Sequence, residues 1–361
     1  MVKQVFNFNA GPSALPKPAL ERAQKELLNF NDTQMSVMEL SHRSQSYEEV
    51  HEQAQNLLRE LLQIPNDYQI LFLQGGASLQ FTMLPMNLLT KGTIGNYVLT
   101  GSWSEKALKE AKLLGETHIA ASTKANSYQS IPDFSEFQLN ENDAYLHITS
   151  NNTIYGTQYQ NFPEINHAPL IADMSSDILS RPLKVNQFGM IYAGAQKNLG
   201  PSGVTVVIVK KDLLNTKVEQ VPTMLQYATH IKSDSLYNTP PTFSIYMLRN
   251  VLDWIKDLGG AEAIAKQNEE KAKIIYDTID ESNGFYVGHA EKGSRSLMNV
   301  TFNLRNEELN QQFLAKAKEQ GFVGLNGHRS VGGCRASIYN AVPIDACIAL
   351  RELMIQFKEN A

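Results

Sequence analysis

The feature that most restricts the fold is a unit that recurs between residues 68 and 209. Each unit is a short apolar run followed by small residues and, in most cases, a stretch with helical periodicity. The runs show little apolar–polar alternation, which is typical of strands buried on both faces of a parallel sheet. They are YQILFL (68–73), NYVLTG (96–101), AYLHIT (144–149), PLIADM (169–174), GMIYAG (189–194) and VTVVIV (204–209). These runs predict an α/β fold in which helices cover both faces of a mostly parallel sheet of the seven-stranded type.

The pattern changes near Leu258-Gly259-Gly260. Helical periodicity then alternates with a strand-like segment at 296–304 and a glycine-rich stretch, which is typical of a smaller α+β unit. A chain of 361 residues also exceeds what one hydrophobic core usually organises. We therefore expect an N-terminal arm at 1–16, a large domain at 17–258 and a small C-terminal α+β domain at 259–361. The arm could join the small domain.

Charge and cysteine content exclude several functions. The net charge is −5, so no polybasic surface for nucleic acid or anionic membranes is expected. Cys334 and Cys347 are the only cysteines, too few for a disulfide framework or a cysteine-rich metal site, and we expect no metal. The N-terminus lacks an apolar export signal, and no run approaches the ~18 apolar residues of a membrane span. These features predict a cytoplasmic protein.

Ligands of open parallel sheets bind at the carboxyl ends of the strands, so the residues after each apolar run are the candidates. In QGGAS (74–78), Gly76 and Ala77 could offer backbone N–H groups to a phosphate at a helix start, although a plain tight turn is as good an interpretation. The spacing matches neither a dinucleotide nor an ATP motif. Trp103 follows the run 96–101 and could stack on a planar ring, although a packing role is the commoner use of such a tryptophan.

Two charged residues complete this set. Asp173 lies at the end of an apolar run, where helix capping or solvation explains most aspartates. Lys197 lies between two buried strands in a glycine-rich setting, whereas lysine normally occupies a solvated face. Pyridoxal 5'-phosphate needs a phosphate cradle, a stacking aromatic ring, an acid beside the pyridine nitrogen and a lysine that binds it covalently. The four candidates in order predict this cofactor, with Lys197 and Asp173 as catalytic residues.

Longer segments resemble the class V aminotransferases, within the fold-type-I family of pyridoxal-phosphate enzymes. They are FNAGPSALP near the start, MELSHRS (38–44), QGGAS (74–78), GSWS (101–104), SNNTIYGTQ (150–158), ADMSSDILSRP (172–182), YAGAQKNLGPSG (192–203), YNTPPTFSIY (237–246) and GHRSVGGCRASIYNA (327–341). The resemblance implies that Thr153, Gln196, Asn238 and Thr239 also hold the cofactor. It implies a homodimer in which Asn238 and Thr239 reach the phosphate bound by the partner subunit. Ala77 departs from relatives that carry an arginine there, which removes one possible substrate contact but leaves the backbone cradle.

The tripeptide His-Arg-Ser occurs twice, at 42–44 and 328–330, and Arg335 follows in the second glycine-rich stretch. Arginine presents a rigid fork of donors that suits phosphate and carboxylate, although a lone arginine is more often a surface residue. The resemblance implies that the His-Arg pairs bind a phosphate and that Arg335 binds an α-carboxylate; the pairs are His42, Arg43, His328 and Arg329. It implies a transaminase of serine biosynthesis that interconverts 3-phosphohydroxypyruvate plus glutamate with phosphoserine plus 2-oxoglutarate. A second role, in pyridoxine biosynthesis, stays open.

Two other functions were weighed. A cysteine desulfurase of the same fold needs a mobile nucleophilic cysteine, but Cys334 directly precedes Arg335 and Cys347 lies in a helical pattern. A non-catalytic regulator that senses an amino acid would carry a DNA-binding module or lack the lysine, and the sequence shows neither feature. Both alternatives are therefore weaker than a transaminase.

Overall fold

The structure is a computed structural model that describes residues 4–214 and 220–361. Positions 1–3 of the expected arm and 215–219 of the expected large domain lie outside the described residues. The strands are β1 (Phe6–Asn7), β2 (Tyr68–Leu73), β3 (Ile94–Leu99), β4 (Glu116–Ser122), β5 (Asp143–Thr149), β6 (Asn151–Asn152), β7 (Thr157–Gln158), β8 (Leu170–Asp173), β9 (Met190–Gly194), β10 (Thr205–Lys210), β11 (Tyr286–Gly288), β12 (Asn299–Leu304), β13 (Phe322–Val323) and β14 (Cys334–Ser337). The helices are α1 (Lys17–Glu26), α2 (Gln45–Leu61), α3 (Gly76–Leu88), α4 (Ser102–Ala111), α5 (Tyr227–Lys232), α6 (Thr242–Asp257), α7 (Gly260–Asp280), α8 (Glu307–Glu319) and α9 (Ile344–Glu359).

The central sheet has seven strands in the order β2-β10-β9-β8-β5-β3-β4. All neighbours are parallel except β10, which is antiparallel to both β2 and β9. The predicted α/β class with a mostly parallel sheet is therefore confirmed, and all six apolar runs are strands of this sheet. The seventh strand, β4, was not predicted because it is an edge strand whose side chains are mostly accessible, so it lacks a continuous apolar run.

Alternate residues of the central strands bury on opposite faces of the sheet. On β2, Ile70 and Phe72 pack into one hydrophobic cluster, whereas Leu71 and Leu73 pack into another. Helices α2 and α6 cover the first face, and α3, α4 and α5 cover the second. Burial on both faces of the sheet explains why these strands form unbroken apolar runs in the sequence.

A second sheet, β11-β12-β14, is antiparallel and packs with α7, α8 and α9 around its own hydrophobic cluster. The N-terminal arm joins this cluster, because β1 pairs in parallel with β13 and Phe8 is fully buried there. The chain then turns back towards the central sheet.

The site depends on one consequence of the topology. Strands β2, β3, β5, β8 and β9 run in the same direction, so their carboxyl ends meet at one edge of the sheet. The segment after β5 does not form a helix; it forms the short antiparallel ladder β6–β7, whose turn carries Thr153. No helix in the described ranges is long and apolar enough to cross a membrane.

Candidate active site

Lys197 lies in the connection between β9 and β10, beyond the carboxyl end of β9. Its side-chain amine donates a 2.9 Å hydrogen bond to Thr153 Oγ1. Burial is the main cause that lowers the pKa of Lys197 to about 8; Asp173 and Asp177 oppose the shift, and the positive charge of Arg335 adds to it. An amine with a pKa this close to neutrality readily exists in its neutral form, which is the form that acts as a nucleophile or base.

The N-terminal arm fixes the backbone around Lys197. Ser13 donates from its amide to the carbonyl of Gln196 at 3.0 Å and from its hydroxyl to the carbonyl of Lys197 at 2.8 Å. Tyr339 donates to the carbonyl of Ala10 at 2.8 Å. Ser13 and Tyr339 were not predicted site residues, although both lie in segments that carry the family resemblance. The arm therefore connects the segment after β14 to the lysine loop.

Asp173 is the last residue of β8 and is almost fully buried. Its Oδ1 accepts from the amide of Ser175 at 2.9 Å and from the Ser175 hydroxyl at 2.6 Å, and that hydroxyl oxygen accepts from the amide of Gly194 at 3.1 Å. Burial raises the pKa of Asp173, and the hydrogen bonds from Ser175 oppose the rise. A buried, oriented carboxylate of this kind suits a cationic N–H partner.

The glycine-rich turn after β2 has the shape of an anion cradle. Gly75 and Gly76 have φ angles of 83° and 64°, and a Cβ at Gly75 would lie 2.6 Å from the Cβ of Leu79. The space beside Gly76 is open, because a Cβ there would meet no atom within 4 Å. The turn leads into α3, whose first-turn N–H groups have no intrahelical acceptors. Gly76 and Ala77 thus offer free amides at a positive helix end.

Trp103 lies in the first turn of α4, next to this cradle, in the same hydrophobic cluster as Ala77 and Val331. Its indole Nε1 is buried and has no hydrogen-bond partner within the described residues. Lys106, which the sequence analysis overlooked, places its amine 4.1 Å from the centre of the Trp103 ring. Trp103 is therefore half-buried with one donor still unused.

Arg335 and His328 approach from the second sheet. Arg335 lies on β14 and donates from Nη1 to the carbonyl of Thr153 at 3.3 Å, while its buried Nε has no partner in the described part of the chain. Burial lowers the pKa of His328, and the positive charges of Arg335, Arg329 and Lys106 lower it further. The structure thus brings three predicted substrate residues together with a lysine that was not predicted.

Four predicted residues lie elsewhere. His42 and Arg43 lie just before α2, and Asn238 and Thr239 just before α6. The segments that carry them pack against each other in a separate hydrophobic cluster. Within residues 4–214 and 220–361, no hydrogen bond or ion pair joins these four to the group around Lys197. Within one chain the predicted site residues therefore form two separate sets, one around Lys197 and one that contains these four residues.

The chain was compared with known proteins. The model for "Aminotransferase class-V" matches residues 5–346. The chain belongs to the class V aminotransferase family. Phosphoserine aminotransferase of Halalkalibacterium halodurans is 67% identical over 356 residues, 99% of each chain.

Solved structures of class V aminotransferases agree with this assignment. A phosphoserine aminotransferase studied for radiation damage of its Schiff base is 99% identical, with a TM-score of 0.98 over 99% of this chain and 100% of that chain. The phosphoserine aminotransferase from Trichomonas vaginalis, with PLP bound, is 38% identical, with a TM-score of 0.92 over 98% of this chain and 100% of that chain.

Pyridoxal phosphate is the cofactor of class V aminotransferases, and the residues present fit it. The open space beside Gly76 can accept a phosphate, and the oriented carboxylate of Asp173 can accept from a ring N–H. The amine of Lys197 is available for covalent attachment. The described residues contain no cluster of three or more His, Cys, Asp or Glu side chains that could hold a metal ion.

Proposed function

We propose that this chain is a pyridoxal-phosphate-dependent transaminase of serine biosynthesis. It interconverts 3-phosphohydroxypyruvate plus glutamate with phosphoserine plus 2-oxoglutarate. The observation that carries the proposal is the buried amine of Lys197, held between Thr153, Asp173 and Arg335 beside a free backbone cradle. Full-length relatives that are themselves phosphoserine aminotransferases support the choice of substrate.

Each set of residues would hold one part of the cofactor. The amides of Gly76 and Ala77 would bind its phosphate, Trp103 would stack on its ring, and Asp173 would hold a proton on its ring nitrogen. Gln196 and Thr153 would fix the lysine side of the site. When bound, the cofactor withdraws electrons from the substrate Cα and so makes the Cα proton acidic.

Lys197 then has two roles in sequence. It would attach the cofactor covalently at rest. Once the substrate amino group had displaced it, its neutral amine would take the proton from Cα and deliver it to the cofactor carbon bonded to the substrate nitrogen. With a pKa of about 8, the Nζ amine can be either protonated or neutral near neutral pH. Arg335 would hold the substrate carboxylate with its free donors, and the carbonyl of Thr153 keeps the guanidinium in place.

The second set of residues indicates the quaternary structure of the protein. Among the described residues, no hydrogen bond or ion pair joins His42, Arg43, Asn238 or Thr239 to the group around Lys197 of the same chain. We propose that these four residues complete the site of the partner subunit in a homodimer. Asn238 and Thr239 would reach the cofactor phosphate, and His42 and Arg43 would join His328 and Arg329 on the substrate phosphate. We also propose a cytoplasmic location, and a division into the arm, large domain and small domain at residues 16 and 258.

A half-reaction tests the proposed function. Purified holoenzyme is mixed with phosphoserine or with glutamate, and the cofactor spectrum is followed through a single turnover. Both amino acids should convert the cofactor to its amino form, whereas Lys197→Ala should convert it with neither. Alanine is the matched substrate control, since it has the α-carboxylate but no distal anion. A holoenzyme that reacts with alanine at least as fast as with phosphoserine would contradict the proposal.

A further inference from the structure

Helix α4 places a lysine over the tryptophan of the site. Lys106 lies three residues after Trp103, a spacing that puts both side chains on one face of the helix. The amine of Lys106 is 4.1 Å from the centre of the Trp103 ring, within the range of a cation–π contact. This contact holds a positive charge at the entrance to the candidate site.

The loop that carries the second His-Arg-Ser tripeptide packs against the same hydrophobic cluster as Trp103. Val331 of that loop packs into the hydrophobic cluster that contains Trp103, and its amide donates to the carbonyl of His328 at 2.9 Å. The turn is pinned further by the amide of Gly327, which donates to the carbonyl of Gly333 at 2.8 Å. Lys106 and the His328 loop thus both lie beside the hydrophobic cluster that contains Trp103, and the charge of Lys106 contributes to the lowered pKa of His328.

The charge of Lys106 is not neutralised by its neighbours. The adjacent carboxylate, Glu105, accepts at 2.7 Å from both Lys124 and Tyr128. No ion pair within the described residues involves Lys106, Arg329 or Arg335. Among the described residues these three cations thus lack a carboxylate partner, and an anionic ligand would supply one.

We propose that Lys106 is a specificity-determining residue whose charge favours substrates with a doubly charged distal group over those with a single distal carboxylate. The inference rests on the proposed function and adds a residue to it. Coulombic attraction scales with the charge of the ligand, so one cation stabilises a phosphate dianion about twice as much as a carboxylate at equal distance. The effect acts through the field of the pocket, so it needs no direct hydrogen bond to the phosphate.

The test compares Lys106→Met with Lys109→Met. Methionine keeps an unbranched apolar side chain over the Trp103 ring and removes the charge. Lys109 is exposed one turn farther from Trp103 on the same helix and is not among the charges that lower the pKa of His328, so its variant loses the same net charge at a greater distance. In single-turnover half-reactions, Lys106→Met should lower the ratio of phosphoserine to glutamate efficiency by about 3- to 10-fold. Lys109→Met should leave that ratio unchanged.

A second measurement locates the charge without using turnover. In holoenzyme with ¹³C-labelled histidine, the pKa of His328 is followed by NMR, with His328→Gln used for assignment. The pKa should rise in Lys106→Met, because a neighbouring cation has been removed, and should stay constant in Lys109→Met.

The outcomes separate the two proposals. Equal losses for phosphoserine and glutamate would mean that Lys106 only supports Trp103, and an unmoved His328 pKa would mean that its charge does not reach the pocket. Either result overturns the specificity role. Wild-type holoenzyme that does not react with phosphoserine would instead overturn the proposed function, and the His328 titration would still decide whether Lys106 belongs to the pocket.

Discussion

The amine of Lys197 donates to the hydroxyl of Thr153, and the carbonyl of the same threonine accepts from Arg335. One residue in the β6–β7 turn thus joins the lysine expected to carry the cofactor to the arginine expected to bind the substrate carboxylate. Arg335 lies close enough for its charge to lower the pKa of Lys197, so the reactivity of the lysine depends on whether the carboxylate site is filled.

The first prediction follows from this coupling. In the apoenzyme, covalent attachment of pyridoxal phosphate should accelerate as pH rises through about 8, because only the neutral amine reacts. Arg335→Gln removes a cation and should move the midpoint to higher pH, whereas Asp173→Asn removes an anion and should move it to lower pH. Stopped-flow absorbance measures the rate, and Arg351→Gln serves as a control, because Arg351 pairs with Glu352 on α9 and is not among the charges that shift the pKa of Lys197. The same midpoint in the wild type and in all variants would contradict the coupling.

The second prediction concerns Ser175, which orients Asp173. Ser175→Ala removes the hydroxyl that bridges Asp173 and Gly194 but keeps the backbone hydrogen bond. The loss of one charge-assisted hydrogen bond should lower the single-turnover rate by about 10-fold with little change in cofactor affinity. Ser176→Ala is the neighbouring comparison, since Ser176 bonds to Asn151 and not to Asp173. If Ser175→Ala turned over like the wild type, Ser175 would have no part in orienting Asp173.

Lys271 gives a prediction about stability. This buried lysine on α7 donates to the carbonyls of Ile338, Tyr339 and Val342 at 2.7–3.1 Å, just beyond the strand that carries Arg335. Lys271→Met should destabilise the protein by about 3–5 kcal/mol, because three buried acceptors lose their donor. Lys273→Met, exposed on the same helix, should change stability by less than about 0.5 kcal/mol. Denaturant unfolding, monitored by circular dichroism, measures the stability of the two variants. Equal unfolding midpoints would show that Lys271 does not stabilise the fold.

Much of the fold was predictable because strands that are buried on both faces of a sheet appear in the sequence as continuous apolar runs. The edge strand β4 and the β6–β7 turn were not predicted, because neither has a continuous apolar run. In the site, Lys197 was recognisable as a lysine in an apolar, glycine-rich setting. Lys106 was not, because a lysine on an amphipathic helix has the same pattern whether it faces solvent or a ligand. Ser175 was missed for a similar reason, since hydrogen bonds of a single hydroxyl produce no periodicity.

The division of the predicted residues into two sets leads to a complementation test. Lys197→Ala chains, which should be inactive, are mixed with Arg43→Ala chains, which should react only weakly with phosphoserine, under conditions that allow subunits to exchange. If Arg43 acts on the site of the partner, each mixed dimer contains one intact site, and about a quarter of all sites should regain wild-type efficiency. Lys197→Ala mixed with Arg335→Ala is the contrasting pair. If Arg335 acts in its own chain, no site of this mixed dimer contains both residues, and no activity should be recovered. Recovery in the second mixture and none in the first would reverse both assignments.

The last prediction separates the arginines by the part of the substrate they bind. Phosphoserine and glutamate share an α-carboxylate, so Arg335→Ala should weaken both by similar factors. Their distal groups differ, since one is a phosphate dianion and the other a single carboxylate. Removing Arg43 or Arg329 should cost roughly 1.5–3 kcal/mol, or on the order of 10- to 100-fold, for a charge-assisted hydrogen bond.

The dianion should lose more of this stabilisation than the carboxylate, because the attraction scales with ligand charge. Arg43→Ala and Arg329→Ala should therefore lower the ratio of phosphoserine to glutamate half-reaction efficiency, while Arg335→Ala keeps it near the wild-type value. The exposed position of Arg329 and the buried Nε of Arg335 favour this division, since only Arg335 is held in a fixed orientation before substrate arrives. A change of the ratio in Arg335→Ala alone would show that the roles are the other way round.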